Sequence, residues 1–407
     1  MISPEALRAH LQGRMPVALE FLRSLVETNS WTENREGVNR MVDLTVAGFS
    51  SLGFVAERVP SANPGWGDHL ILDSGPGGRP SIAMVSHLDT VFPPEEEERN
   101  QFRWSVEGDR IFGPGTHDIK GGTVMMWLVL DALRMLAPDA FWRTRWQLFW
   151  NSSEEMLSVD FGALCRSRLD SNTRAALVFE AEGTGPGVRR LVVSRKGRGT
   201  WRLRARGRGA HAGVHPERGA NAIVQLAASL RRVASLGDPA RGLTINVGRV
   251  SGGGGLNRVP HEAVAEGEFR AFLPDVYADA RRHLLDLAGP GDVVSPVDGF
   301  RSTLEVELLS ETGPWPPNAA SHGLLDHFVA AARDLGEVVE GESRGGLSDG
   351  NHIWDHVPTL DGLGPSGDND HCSERSPDGL KLPEYVNLSS FVPKATLNVL
   401  AILKMLG

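Results

Sequence analysis

Little in this sequence could cross-link the chain or anchor it. Its 407 residues include two cysteines, Cys165 and Cys372, too few for a disulfide framework or a thiolate metal cluster. No apolar run reaches the roughly 18 residues of a membrane span. Basic residues are not in excess: the formal net charge is -9, which argues against sequence-independent nucleic-acid binding. Residues 1–20 carry acids and no continuous apolar core, so they do not read as a secretory signal. The P-loop pattern, internal repeats, heptads and low-complexity tracts are all missing. The expectation is a soluble, cytoplasmic protein with no nucleic-acid or membrane partner. A hydrophobic content of 41% and a charged content of 23% fit that class, and the length suffices for two or three domains. Tyrosine is also scarce, two against ten tryptophans, and we have no physical account of that.

What is present alternates between helical and strand signals. Apolar residues at helical spacing predict helices over 4–28 and 35–52, the second closed by Gly53. Strands are expected at 54–59 and 69–72. The run Ser81-Ile82-Ala83-Met84-Val85-Ser86-His87-Leu88-Asp89 follows a Gly/Pro cluster and reads as a buried strand. Residues 93–99 are acidic and read as a solvated loop, either a guard on an entrance or simply charged surface. A glycine-rich turn, 113–122, leads into a strongly apolar helix, 123–136. Apolar strands follow at 146–150 and 175–179.

The middle third differs. It reads strand (199–205), helix (219–236), strand (243–250), strand (263–273), helix (274–287) and strand (303–309). This β-α-β-β-α-β order is the ferredoxin-like split unit, inserted into the first domain. Pro314, Pro316 and Pro317 mark the return, and helices are expected at 322–335 and 396–406. The expected domains are therefore a catalytic domain in two parts, 1–192 and 312–407, and an inserted domain, 193–311.

The chemistry gathers at strand ends. In open α/β sheets the site lies outside the carboxyl ends of the strands. That places His87, Asp89, Glu154, Glu155 and Glu180 along one rim. His87 and Asp89 are two residues apart and should point the same way, as a metal ligand and its orienting carboxylate or as an ordinary strand-end pair. Glu154 and Glu155 should point apart, so one could bind metal while the other handles a proton. A solvated acidic corner is the alternative. Asp118 in the glycine-rich turn is either a further ligand or an N-cap. His371 is a late histidine candidate. Imidazole and carboxylate together suit zinc, and also manganese or cobalt.

In this order the motifs resemble the co-catalytic zinc peptidase and amidohydrolase family that includes aminoacylase, carboxypeptidase G, acetylornithine deacetylase and succinyl-diaminopimelate desuccinylase. The resemblance runs from about Leu7 to Leu406. Its carriers are Ser86-His87-Leu88-Asp89-Thr90-Val91-Phe92-Pro93, Gly113-Pro114-Gly115-Thr116-His117-Asp118-Ile119-Lys120-Gly121-Gly122, Ser153-Glu154-Glu155, Phe179-Glu180, Ala210-His211-Ala212-Gly213, Asn257-Arg258-Val259-Pro260, Gly345-Gly346-Leu347-Ser348-Asp349-Gly350 and His371. It implies an α/β catalytic domain with a central, mostly parallel sheet flanked by helices, plus a ferredoxin-like lid and dimerisation domain. It implies two divalent metals, most simply zinc, bridged by Asp118. His87 and Glu180 would complete one metal, Glu155 and His371 the other. Asp89 would orient His87, and Glu154 would be the general base acting on a metal-bridging water. His211 would reach the partner subunit's site of a homodimer and stabilise the oxyanion. Asn257, Arg270, Gly345 and Gly346 would meet the substrate, Arg270 taking its carboxylate, with an ion pair to Glu266 or Glu268 as the rival role.

Two features depart from the family pattern: Leu347, and an extra loop, 372–383, before Glu384-Tyr385-Val386. The implied activity is hydrolysis of an amide or peptide bond beside a carboxylate-bearing amino acid, the substrate being a dipeptide or N-acyl amino acid. Hydrolysis of a non-peptide C–N bond and an inactive dimeric binding protein are the competing readings.

Overall fold

All seven residues of the strand Ser81–His87 are buried, which requires cover on both faces of its sheet. The computed structural model, which describes residues 2–156, 159–185 and 187–407, supplies that cover. The chain opens with α1 (Pro4–Val26), α2 (Arg35–Phe49), β1 (Val55–Pro60), β2 (Asp68–Asp73), β3 (Ser81–His87), α3 (Pro94–Asn100), β4 (Ser105–Glu107) and β5 (Arg110–Phe112). It continues with α4 (Gly121–Leu136), α5 (Pro138–Arg143), β6 (Arg145–Asn151), α6 (Val159–Arg168), β7 (Thr173–Val178), β8 (Gly183–Gly185) and β9 (Val188–Arg195). The middle holds β10 (Gly197–Arg206), α7 (Ala222–Ala234), β11 (Thr244–Gly252), β12 (Glu262–Ala271), α8 (Pro274–Leu285), β13 (Gly289–Val294) and β14 (Arg301–Thr312). The last part holds α9 (Ala319–Leu335), β15 (Val339–Arg344), β16 (Thr359–Leu360), β17 (Gly367–Asp368), β18 (Tyr385–Asn387) and α10 (Phe391–Leu406).

Two compact units result. The first comprises Met1–Val193, Asn318–Glu342 and Ser348–Gly407, the second Ser194–Pro317 and Ser343–Leu347. In the first, a six-stranded sheet runs β1-β2-β6-β3-β7-β16. β6, β3, β7 and β16 are mutually parallel, and the β1–β2 hairpin adds an antiparallel edge. Side chains alternate across it. Ile82 and Met84, with Leu148, Trp150 and Leu177, join the core built from α1, α4 and α10. Ala83 and Val85, with Phe149, Ala176 and Val178, join Phe161 and Cys165 of α6 and Ile353 and Val357 on the other face. A smaller sheet, β17-β18-β5-β4, lies in the same unit.

The second unit is one antiparallel sheet, β11-β12-β10-β14-β13. Burial alternates along β10: Trp201, Leu203 and Ala205 face α7 and α8, while the intervening residues are more open. On the open side Arg202 stands opposite Glu266 and Glu307 and bonds both, at 2.8 and 3.1 Å. Opposite charges across a ladder favour this register.

Several elements differ from expectation. The acidic stretch at 93–99 is not a loop but the helix α3, with Pro94 at its start and Glu95, Glu96 and Glu97 in the first turn. Proline there loses no helical hydrogen bond, and carboxylates at a helix N-terminus meet its positive end. α7 begins at Ala222 rather than 219, because the Asn221 side chain caps the N–H groups of Ile223 and Val224. β13 is an additional strand. Its Gly289-Pro290-Gly291 start argues against a central strand, and it sits at the sheet edge, where proline is tolerated. Among the described residues, no helix is long and apolar enough to cross a membrane.

Leu203 and Arg206 share β10 but not its environment. Leu203 is 1% exposed, so Leu203→Ala should cost about 2–5 kcal/mol by urea denaturation. Arg206→Ala, which removes an exposed ion pair to Glu305, should leave the midpoint nearly unchanged.

Candidate metal centre

Because β6, β3 and β7 are parallel, their carboxyl ends share one rim. His87 closes β3, Glu154 and Glu155 follow Asn151 at the end of β6, and Glu180 follows β7. Asp118 comes from the glycine-rich segment before α4, where the Asp118–Ile119 peptide bond is cis. His371 comes from the loop between β17 and β18.

These side chains converge as two trios that share Asp118. The donor atoms of His87, Asp118 and Glu180 lie within 4.8 Å of one another, and so do those of Asp118, Glu155 and His371. Asp118 turns one oxygen to each histidine: Oδ1 is 3.0 Å from His87 Nε2, and Oδ2 is 3.2 Å from His371 Nε2. Glu180 lies 4.0 Å from His87 Nε2, and Glu155 lies 3.4 Å from His371 Nε2. Glu154 belongs to neither trio.

The electrostatics show a site short of positive charge. Burial raises the Glu154 carboxyl well above its usual range; His87 opposes this, while Glu155, Glu180 and Asp349 add to it. Burial, then the charge of Asp118, pushes Glu155 up to about 7. Asp349 is pushed up to about 7, again chiefly by burial. For Asp118 burial acts upward, but hydrogen bonds from His371 and His87 outweigh it and hold the group below the usual carboxylate range. Burial disfavours a charged His87 ring, yet its bonds to Asp118 and Asp89 raise it. Hydrogen bonds to Asp118 and Glu155 raise His371 to about 11. Crowded buried carboxylates are costly unless cations are shared among them. One imidazole and two carboxylates per trio, with one carboxylate common, is a donor set that fits a pair of divalent ions.

Backbone N–H groups fix the ligand loops. Asp89 accepts from Glu154 N at 3.0 Å on one oxygen, and from Glu155 N at 3.2 Å and Thr32 Oγ1 at 2.7 Å on the other. Its expected hold on His87 runs mainly through its backbone carbonyl, 3.0 Å from Nδ1, with the carboxylate at 3.4 Å. Asn151 links Ser153 N to the Asp349 carboxylate. Glu384 accepts from His117 N at 2.8 Å and Asp118 N at 3.0 Å. Asn151, Asp349 and Glu384 carry no role in the sequence reading. The one available signal was an acidic or amide residue inside or beside each motif.

In the second unit, Ala212 N donates to Asn257 O at 2.8 Å, which ties the His211 and Asn257 loops together. His211 is exposed, and its Nδ1 accepts from Gly213 N at 3.2 Å. In the neutral ring that leaves the proton on Nε2, as a donor. Arg270 is paired within its own unit: Nε and Nη2 hold both oxygens of Glu268, at 2.8 and 3.1 Å, and Nη1 donates to Gly345 O at 3.1 Å. Arg270 and Glu268 are two apart on β12 and therefore share a face, which is the rival role. The Gly346 and Leu347 carbonyls accept from Arg195 Nη1, at 3.2 and 3.0 Å.

Comparison with known proteins accords with this geometry. Residues 193–286 match the peptidase dimerisation domain family. Carboxypeptidase G2 of Pseudomonas sp. (strain RS-16) is 26% identical over 381 residues, covering 92% of this chain and 86% of its own. An M20 family metallo-carboxypeptidase from Sulfolobus solfataricus superposes with a TM-score of 0.70 at 15% identity, covering 96% of this chain and 99% of its own. A dinuclear metal-binding peptidase of the M20 family from Bacillus subtilis does so with a TM-score of 0.63 at 14% identity, covering 97% and 99%. In its fold, its paired His/carboxylate trios and its match to the peptidase dimerisation domain, the chain is similar to the M20 family of co-catalytic metallopeptidases and amidohydrolases.

Proposed function

We propose that this metallohydrolase cleaves an amide or peptide bond next to a carboxylate-bearing amino acid, in the manner of a glutamate carboxypeptidase or an N-acyl-amino-acid amidohydrolase. The observation that carries the reading is Asp118, whose two oxygens face the two trios, beside a buried glutamate that joins neither. In this proposal His87, Asp118 and Glu180 hold one divalent ion, and Asp118, Glu155 and His371 hold the other, with zinc the best match to the donors. When bound, such a pair supplies Lewis acidity that polarises the scissile carbonyl and acidifies water.

The remaining work falls to the chain. Glu154 takes a proton from the attacking water and returns it to the leaving nitrogen. Its backbone is pinned by Asp89, so the carboxylate is held in place before substrate arrives. His211 of the partner subunit, in a homodimer formed through residues of about 193 to 311, donates from Nε2 to the tetrahedral oxyanion. The match of 193–286 to a dimerisation domain supports that pairing. The preference for a substrate carboxylate rests on the carboxypeptidase relatives rather than on Arg270, whose fork Glu268 occupies.

Metal-free protein should gain stability on zinc addition. A ligand at 100 times its Kd adds about 2.7 kcal/mol per site, so the thermal midpoint should rise by several degrees and fall again with chelator. An unmoved midpoint would sink the proposed metal pair. Glu154→Gln should lose about 10²–10⁴-fold in kcat while the zinc-induced shift persists. Loss of that shift would show that Glu154 is a ligand. On a panel of N-acyl amino acids and dipeptides, free acids should exceed their neutral amides at least about 10-fold in kcat/KM, or roughly 1.4 kcal/mol. Equal rates would argue for another class of C–N bond.

A further inference from the structure

One of the proposed ligands, His371, sits on backbone that does not hold itself. His371 has φ 61°, and its neighbour Asn369 has φ 67°. Side-chain-bearing residues seldom adopt this left-handed region, and it persists where surrounding contacts over-determine it. Packing on the imidazole does not supply those contacts, since the His371 side chain is 54% exposed. Asp118 lies in a segment whose helical winding is interrupted, with φ -115° and ψ 92° at Asp118 and φ -136° and ψ 46° at Ile119. Both segments must nevertheless place their side chains about 3 Å apart.

The contacts come from a small network behind the site. β5 leads into the Asp118 segment, β17 leads into the His371 loop, and β18 leaves it. These three strands lie side by side, with Tyr385 opposite both Phe112 and Asp368. At the base of that sheet the fully buried Glu384 carboxylate accepts the N–H groups of His117 and Asp118. Its own N–H donates to Cys372 O at 2.8 Å, one residue beyond His371. Beside it, the buried His117 Nδ1–H donates to the carboxylate of Asp370, one residue before His371. Gly367 makes room for that ring: a Cβ there would come within 2.7 Å of His117 Cδ2 and 2.0 Å of Tyr385 O. The backbones on either side of His371 are thus tied to the backbone that carries Asp118.

We infer that Glu384, His117 and Asp370 are positioning residues that hold Asp118 and His371 in mutual register, so that the subsite of Asp118, Glu155 and His371 is formed before its metal arrives. The two links differ in reach. The His117–Asp370 bond acts on His371 and therefore on one subsite. Glu384 acts on Asp118, which both subsites share. The inference rests on the dinuclear reading above and concerns residues to which that reading assigns no part.

Calorimetric titration of the metal-free full-length chain with zinc separates the two links. The wild-type chain should take up two equivalents. Asp370→Ala and His117→Phe should each leave one equivalent at near wild-type affinity and weaken the other about 10–100-fold, the usual effect of removing an outer-shell partner. Glu384→Ala should weaken both, and Glu384→Gln, which keeps an acceptor for the two N–H groups, should bring both back. Circular dichroism and urea midpoints check that each variant is folded. Should Glu384→Ala fail to fold, Asp370→Ala still decides, since the Asp370 side chain is 46% exposed. Two equivalents at unchanged affinity in folded Asp370→Ala and His117→Phe would overturn the inference and leave the dinuclear reading intact. A wild-type chain that takes up fewer than two equivalents would overturn both.

Discussion

Glu154, Glu155, Glu180, Asp118 and Asp349 crowd one end of a buried sheet, and carboxylates so placed repel one another unless positive charge lies between them. Much of the first unit follows from meeting that constraint. His87 and His371 answer part of it through the two oxygens of Asp118. Backbone N–H groups answer another part: Asp89 collects those of Glu154 and Glu155, and Glu384 those of His117 and Asp118. A buried carboxylate that accepts two N–H bonds is partly satisfied and also fixes the loop that donates them. A pair of divalent ions would supply the rest of the charge. The same crowding that would destabilise a metal-free site would favour cations bound there.

The sheet makes this crowding possible. Its parallel strands deliver their carboxyl ends to one rim, and both faces of the sheet are covered by buried apolar clusters. The second unit solves a simpler problem. One face of its antiparallel sheet packs on α7 and α8, and the other carries Arg–Glu pairs in register, such as Arg202 with Glu266. That pairing also accounts for Arg270, which lies opposite Arg198 on β10, while Glu268 contacts both guanidiniums.

The parts legible in the sequence are those with a local signature. β3, β6 and β7 are continuous apolar runs, and His87, Glu154, Glu155 and Glu180 lie at or just beyond their ends, so the rim could be read residue by residue. The β-α-β-β-α-β order was legible for the same reason. β13 was not, since glycine and proline mask a strand that only an edge position permits. α3 was not, because four consecutive glutamates look like solvated loop until a helix N-terminus gives them a partner. Asn151, Asp349 and Glu384 act through contacts distant in sequence, Glu384 on a backbone 266 residues away, and no local pattern announces such a bond. Arg270 is the opposite case: Glu268, two residues earlier on the same strand, announces locally the ion pair that the structure forms.

Two metal sites sharing Asp118 would reconcile the crowded carboxylate charges. Anomalous diffraction at the zinc absorption edge, from crystals of the zinc-loaded protein, would locate them. Two peaks are expected, one bonded to His87 and Glu180 and the other to Glu155 and His371. Asp118 should ligate both, at about 2.0–2.2 Å, with Glu154 in neither coordination shell. A single peak, or a peak bonded to Glu154 in place of Glu155, would contradict that pair of sites.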